Sequence, residues 1–170
     1  MAKRILLLTM LIAIGYGASA HTTEAARRAF QKMQTLAGDW EGTDERGRPV
    51  KSNFALAAAS TALLETLRMP DGDEMLTIYS VDRNSIVLLH YCPTNNQPQM
   101  RATPPDGEVR ELVFEFQRAG NLPSLETGHE HKLVILFQDR DHLTERWTWR
   151  QNGGDRDAIY RLTRKARMVE

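Results

Sequence analysis

The sequence predicts an all-β protein, an antiparallel barrel of eight to ten strands preceded by one short α-helix. Beyond Gly38, apolar residues recur at every second position rather than every third or fourth. Ten short segments of strand composition follow one another, separated by turn residues and without a helical pattern between them. So many antiparallel strands must protect their sheet edges, and closure into a barrel removes those edges. A β-sandwich is the alternative, because it has the same periodicity.

The first twenty residues have the composition of a secretory signal peptide. Lys3 and Arg4 begin it, an apolar run covers residues 5–14, and Ala18-Ser19-Ala20 matches a small-residue cleavage site. The apolar run is shorter than the roughly 20 residues that span a bilayer. We therefore expect residues 1–20 to be removed and the remaining chain to be periplasmic or secreted, without a transmembrane segment.

Residues 21–37 predict an amphipathic helix. Thr23 is a suitable N-cap, and Glu24 suits the positive end of the helix dipole. One stripe of the helix collects the apolar side chains, and Gly38 ends the pattern. The stripe consists of Ala26, Ala29, Phe30, Met33, Leu36 and Ala37.

The barrel domain is predicted over residues 38–166. Leu112, Phe114 and Phe116 show the alternation well, whereas Glu145 falls on the apolar side of its strand. The longest stretch without a strand pattern runs from Ala119 to Glu130, and loops of that length are often functional. We predict strands near residues 39–44, 50–58, 62–69, 74–81, 85–92, 98–103, 109–118, 131–138, 142–151 and 157–164.

Charge and cysteine content exclude several classes of protein. Lys and Arg total 22, as do Asp and Glu, so removal of Lys3 and Arg4 leaves 20 basic against 22 acidic residues. A chain so near neutrality gives no electrostatic basis for binding nucleic acid or an anionic membrane. The single cysteine, Cys92, cannot form an internal disulfide, so stability must come from the core.

The segment Leu36-Ala37-Gly38-Asp39-Trp40-Glu41-Gly42 resembles the lipocalin and wider calycin signature. The resemblance implies that Trp40, after Gly38, lies under the barrel floor, with an Arg from the end of the last strand packed across it. Arg161 and Arg164 are the candidates for that role. The family's later Thr-Asp-Tyr motif and its paired cysteines are absent from this chain.

The chain beyond residue 20 is also similar to a group of uncharacterised exported bacterial proteins with lipocalin-like barrels. The similar stretches are 36–42, 90–92 with 96–98, and 129–131 continuing to 141–142 and Trp147. Barrels of this class hold one small apolar molecule in their interior. The resemblance therefore implies a fold and a ligand site, without specifying the ligand.

We expect the barrel to bind a small, largely apolar molecule and to be a monomer or a weak dimer. Polar groups among aromatic side chains are typical of ligand sites. Trp147 and Trp149 share one strand face, as do His90 and Cys92. Residues 95–99 are rich in side-chain amides, although a plain turn explains them as well. The ligand-binding candidates are His90, Cys92, Asn96, Gln97, His131, Trp147 and Trp149.

Two other classes of function stay open. His129 and His131 lie two apart, a spacing at which two imidazoles on a strand can share a metal ion. Haem ligation by His90 is a further alternative. A filled barrel that binds a partner through its outer surface is the second class. We predict no catalytic residue, and a binding protein is favoured over an enzyme. A third metal ligand would come from His90, Asp139, Asp141 or His142.

Overall fold

The computed structural model describes residues 22–166, and the signal peptide predicted over residues 1–20 lies outside that range. The chain forms one short helix and a closed antiparallel barrel of ten strands, which confirms the predicted fold class. The elements are α1 (Glu24–Gln34), β1 (Gly38–Thr43), β2 (Pro49–Ala57), β3 (Ala62–Arg68), β4 (Glu74–Asp82), β5 (Ser85–Tyr91), β6 (Gln97–Ala102), β7 (Glu111–Gly120), β8 (His129–Phe137), β9 (His142–Gln151) and β10 (Gly154–Arg164).

The strands pair in sequence order, and β1 closes the barrel by pairing with both β2 and β10. Gly42 pairs with Leu162 where β1 meets β10. A Cβ atom at this position would stand 1.8 Å from the carbonyl oxygen of Arg161, so only glycine fits. Within residues 22–166, no helix has the length and hydropathy needed to cross a membrane.

Three strand boundaries differ from the predicted ones. β7 covers Glu111–Gly120, β8 begins at His129 rather than near 131, and β10 begins at Gly154 rather than near 157. The connection predicted to extend from Ala119 to Glu130 therefore shortens to residues 121–128. At the β8 end the cause is a bulge at His131, since Glu130 pairs with Trp149 and Lys132 with Thr148. An extra residue in one strand breaks the two-residue period from which the strand start was predicted.

Helix α1 lies across one end of the barrel. Two hydrogen bonds connect the helix and its N-cap to the turns at this end. Thr23 N donates to Arg83 O at 3.1 Å, and Gln34 Nε2 donates to Ser60 O at 2.8 Å. The apolar stripe is buried, and burial of a side chain as large as Phe30 or Met33 contributes about 1.5–3 kcal/mol. The helix thus closes this end of the barrel, which we call the floor.

The side chains of Trp40 and Arg164 connect the floor to the last strand, β10. Arg164 places its Cζ 4.3 Å from the centroid of the Trp40 ring, and its Nη atoms donate to Ala37 O at 3.0 Å and Thr35 O at 2.6 Å. Trp40 Nε1 donates to Leu36 O at 2.8 Å. Of the two arginines considered, Arg164 therefore lies over Trp40, whereas Arg161 is exposed. This contact ties β10 to the end of α1.

The opposite end of the barrel is formed by turns alone. They are residues 44–48, 69–73, 92–96, 121–128 and 152–153, which join the strands at the end away from α1. No helix among the described residues covers them. We call this end the mouth, because the cavity described below opens there.

Candidate functional site

A cavity of about 360 Å³ opens at the mouth. Its wall is mostly apolar and aromatic, with Cys92 near the entrance and a rim of charged side chains from the turns. The sole cysteine is free and half-buried there. The wall residues are Met75, Trp147, Trp149, Ala158 and Tyr160.

The two tryptophans of β9 shape the cavity from one side. Trp147 is buried, and its Nε1 donates to Glu145 Oε2 at 3.0 Å, which fixes the orientation of the indole. Trp149 packs over Gly128, where a Cβ atom would come within 2.2 Å of the indole ring. The absence of a side chain at Gly128 thus allows the ring to lie against the 121–128 turn.

Glu130 supplies a buried carboxyl group to the same cavity. It pairs with Trp149 in the β8–β9 register and lines the cavity wall. Its Oε2 atom is buried and has no hydrogen-bond partner among residues 22–166. Burial raises the pKa of Glu130 from 4.5 to about 7, against a smaller lowering by Arg156. Glu130 is therefore a half-buried residue of the cavity wall with unused hydrogen-bonding capacity at one carboxyl oxygen.

Some of the charged side chains at the rim of the cavity form ion pairs with one another. Asp44 binds Arg48 at 2.7 Å, and hydrogen bonds from this turn lower the pKa of Asp44 despite its burial. Glu45 lies 3.8 Å from Arg46. Asp157 accepts a hydrogen bond from Thr148 at 2.7 Å. The remaining rim charges that line the cavity are Asp71, Asp73 and Arg156.

A second polar group is enclosed deeper in the barrel, where Glu65 and Glu145 are both fully buried and contact each other. Ser52 Oγ donates to Glu65 Oε1 at 2.9 Å, and Tyr79 OH donates to Glu65 Oε2 at 2.8 Å. Burial raises the pKa of both glutamates. The like charge of Glu65 raises the pKa of Glu145 further, whereas a hydrogen bond with Glu145 acts to lower the pKa of Glu65. Glu145 Oε1 has no hydrogen-bond partner among the described residues. Two buried carboxyl groups in contact favour one shared proton over two adjacent charges.

His90 lies beside this network rather than in the cavity wall. Its Nδ1 is 2.9 Å from Thr77 Oγ1, its ring centroid is 4.6 Å from that of Trp147, and its Nε2 has no partner among residues 22–166. Burial lowers the pKa of His90 to about 3, so the ring is neutral. Because Trp147 packs on the imidazole and His90 does not line the cavity, haem ligation does not fit this packing.

His129 and His131 form a hydrogen-bonded chain at the mouth. His129 Nδ1 donates to Thr127 O at 2.7 Å, so its Nε2 accepts from His131 Nδ1 at 3.1 Å. His131 Nε2 then accepts from Arg150 Nη1 at 2.6 Å. The nitrogen lone pairs that a metal ion would need are therefore directed at hydrogen-bond donors, and a guanidinium cation lies against one of them.

The predicted third metal ligands are not brought to this pair. His142 bonds Asp139 at 2.8 Å in the β8–β9 turn, which lies at the floor, and Asp141 is in the same turn. Residues 22–166 contain no group of three His, Cys, Asp or Glu side chains that could hold a metal ion. The site therefore offers two imidazoles and lacks the further ligand that a structural or catalytic zinc requires.

The other ligand-binding candidates separate into two groups. Trp147, Trp149 and Cys92 line the cavity, as described above. Asn96, Gln97 and His131 do not. Asn96 is buried and its Nδ2 donates to Gly128 O at 2.9 Å, which ties two mouth turns together. Gln97 Nε2 bonds Asn95 O at 3.3 Å, and His131 stacks on Phe116 with ring centroids 5.1 Å apart.

Sequence reasoning missed three residues of the interior. The inward position of Glu65 could have been predicted, because Glu65 falls in the same two-residue period as Leu63 and Leu67. A carboxyl group at an apolar position of a strand is the pattern to search for. Glu130 and Tyr160 carried no such signal, because the bulge at His131 and the charged start of β10 hide their alternation.

No family model matches this chain, and no curated protein matches it. A solved structure described as EF1p2_mFAP2b bound to DFHBI is similar at 12% sequence identity, over 84% of this chain and 100% of the other, with a TM-score of 0.38. That TM-score is too low to carry an argument. The closed ten-stranded barrel is established by its own strand pairing, and a cavity with a charged rim opens at its mouth.

Proposed function

We propose that this chain is a binding protein that holds a small, largely apolar molecule in the mouth cavity. The observation that carries the proposal is the buried, unpartnered Oε2 atom of Glu130 in an otherwise aromatic and apolar wall. A buried polar atom without a partner is unfavourable by about 1–3 kcal/mol, and a ligand that donates a hydrogen bond removes that penalty. The contact of Arg164 on Trp40 adds support through the lipocalin resemblance.

The dimensions of the cavity suit such a ligand. Small-molecule sites commonly enclose about 300–1,000 Å³ and combine apolar walls with a few placed polar groups. A cavity of about 360 Å³ accommodates one or two fused rings rather than a long chain. Trp147, Trp149 and Tyr160 offer ring faces, and flat rings stack or pack edge-to-face on them.

The sole thiol allows a direct test, because Cys92 lines the cavity and no other cysteine can react. The neutral probe 1-naphthalenemethanol, when bound, covers the thiol. We expect it to slow alkylation of Cys92 by iodoacetamide in a saturable manner, followed by intact mass. In Ala158→Phe, the new ring fills the cavity from β10, and protection is lost.

The matched control is Ala55→Phe, which makes the same substitution on the exposed outer face of β2. It should retain the protection of Cys92 seen in the unmodified protein. Alkylation rates that do not respond to the probe, or that respond equally in Ala158→Phe, would contradict binding in the mouth cavity.

We further propose that the barrel works outside the cytoplasm. The support is the signal-peptide pattern of residues 1–20. The test is the N-terminal sequence of the protein recovered from its native cells. A mature terminus near His21 in the exported fraction is expected, and an intact N-terminus in the cytoplasmic fraction would contradict the proposal.

A further inference from the structure

We propose that the mouth cavity selects organic cations: a ring-bearing body carrying a protonated amine whose ammonium group binds the Glu130 carboxylate. This inference rests on the proposed function and names the chemical class of its ligand. It draws on three independent features of the site: the unpartnered carboxyl group, the aromatic wall and the balance of charge at the rim.

The first feature is the chemistry of the buried carboxyl group. An ionised carboxylate only accepts hydrogen bonds, and Glu130 Oε2 is buried without a donor among the described residues. Among organic donors, a protonated amine provides the strongest contact, because a charge-assisted hydrogen bond is shorter and about twice as strong as a neutral one. A ligand with an ammonium group therefore gains most at this atom.

The second feature is the set of rings around the carboxyl group. Trp149 is the cross-strand neighbour of Glu130, and Trp147 and Tyr160 line the same cavity. Ring faces attract cations through their quadrupoles, and tryptophan does so most strongly. The same rings that hold an apolar body therefore also favour a cation over an anion near them.

The third feature is the charge at the rim. After Asp44 is paired with Arg48 and Glu45 with Arg46, the acidic residues that line the cavity outnumber the basic ones. Arg156 is the one opposing charge that remains in the lining, and water screens its field as it screens those of the exposed acidic side chains. A rim of net negative charge raises the local concentration of cations and repels anions. The remaining acidic side chains are Asp71, Asp73, Glu130 and Asp157.

The preference should depend on pH, because only the ionised carboxylate binds an ammonium group. The pKa of Glu130 is about 7 in the free protein, so the carboxylate predominates at pH 8 and is the minor form at pH 6. The charged group that acts on Glu130 is Arg156 on β10, and Tyr160 on the same strand lies close to Glu130. Tyr160 in turn lies near Glu145 on β9 and near Asp44 and Glu45 of the β1–β2 turn. Of these, Arg156 favours ionisation of Glu130.

The experiment compares three probes of one shape in the Cys92 protection assay at pH 8. They are 1-naphthylmethylamine as the cation, 1-naphthalenemethanol as the neutral form and 1-naphthoate as the anion. We expect the amine to bind at least about tenfold more tightly than the alcohol, the size of one charge-assisted hydrogen bond. The naphthoate should bind more weakly than the alcohol, and the advantage of the amine should shrink at pH 6.

Two variants assign the effect to Glu130. Glu130→Gln preserves the shape of the side chain and should abolish the amine's advantage while the alcohol binds as before. Glu111→Gln, which removes one negative charge from an exposed side chain outside the cavity wall, should leave the advantage unchanged. Equal binding of amine and alcohol, a preference for naphthoate, or an advantage that survives Glu130→Gln would overturn the cation selectivity alone. Failure of all three probes to protect Cys92 would overturn the proposed binding function together with it.

Discussion

Replacement of Glu130 by Gln should change how the stability of the protein depends on pH. The free energy of unfolding is affected because the pKa of Glu130 is about 7 in the folded protein and 4.5 when exposed. At about 1.4 kcal/mol per tenfold change in proton affinity, that rise corresponds to about 3 kcal/mol in total. The folded state binds the proton more tightly, so this stabilisation is present below pH 4.5 and is lost as the pH rises through 7.

Other groups titrate over the same range, so the comparison must be between variants. His90, whose pKa is lowered to about 3, acts in the opposite direction and stabilises the protein as the pH rises toward 6.5. It contributes equally to both proteins and cancels in their difference. The unfolding free energy of Glu130→Gln minus that of the unmodified protein should therefore increase by about 2.5 kcal/mol between pH 5 and pH 8.

The assay is urea denaturation followed by tryptophan fluorescence at several pH values. A constant offset between the two proteins is allowed, because the Gln amide has its own burial energy. The diagnostic quantity is the change in that offset with pH. Parallel stability curves from pH 5 to pH 8 would refute the argument that burial raises the proton affinity of Glu130.

Three further predictions concern the frame of the barrel. Arg164→Ala should lower the unfolding free energy by about 2 kcal/mol in urea, whereas Arg161→Ala on the exposed face should be near neutral, and equal effects would contradict the assigned contact. Gly42→Ala should lower the free energy of unfolding by at least about 2 kcal/mol, because the new Cβ meets the backbone of β10. Gly107→Ala should have little effect, because the space around Gly107 is open. Equal melting temperatures of the two variants would be evidence against barrel closure at Gly42. The imidazole resonances of His90 should not titrate between pH 5 and pH 8, and an NMR midpoint near 6.5 would show that the ring is accessible to water.

The barrel could be predicted from the sequence because its strands alternate and are bounded by turns. Each of the ten predicted strands has a counterpart, since alternation such as Leu112–Phe116 reflects one buried and one solvated face. The predicted strand boundaries were wrong where the alternation of apolar and polar residues is interrupted. The bulge at His131 shifted the apparent start of β8, and it also concealed Glu130 by moving it out of phase with Leu133.

The candidate site was only partly predictable, because a strand pattern does not say which end of a barrel is open. Trp147 and Trp149 were predicted as ligand-binding candidates on one strand face, and both line the cavity. His90 was placed with them by its spacing, yet it packs behind Trp147. The pairing of Glu65 with Glu145 depends on contacts between β3 and β9, which no local pattern in the sequence contains.

Native mass spectrometry on the protein isolated from its own cells would show whether the mouth cavity carries a ligand. We expect a population heavier than the bare chain by one small molecule. That excess should be present in the unmodified protein and in the outer-face control Ala55→Phe, and absent from the cavity-filled variant Ala158→Phe. Bare mass in all three proteins, or an excess that persists in Ala158→Phe, would contradict a ligand held in the mouth cavity.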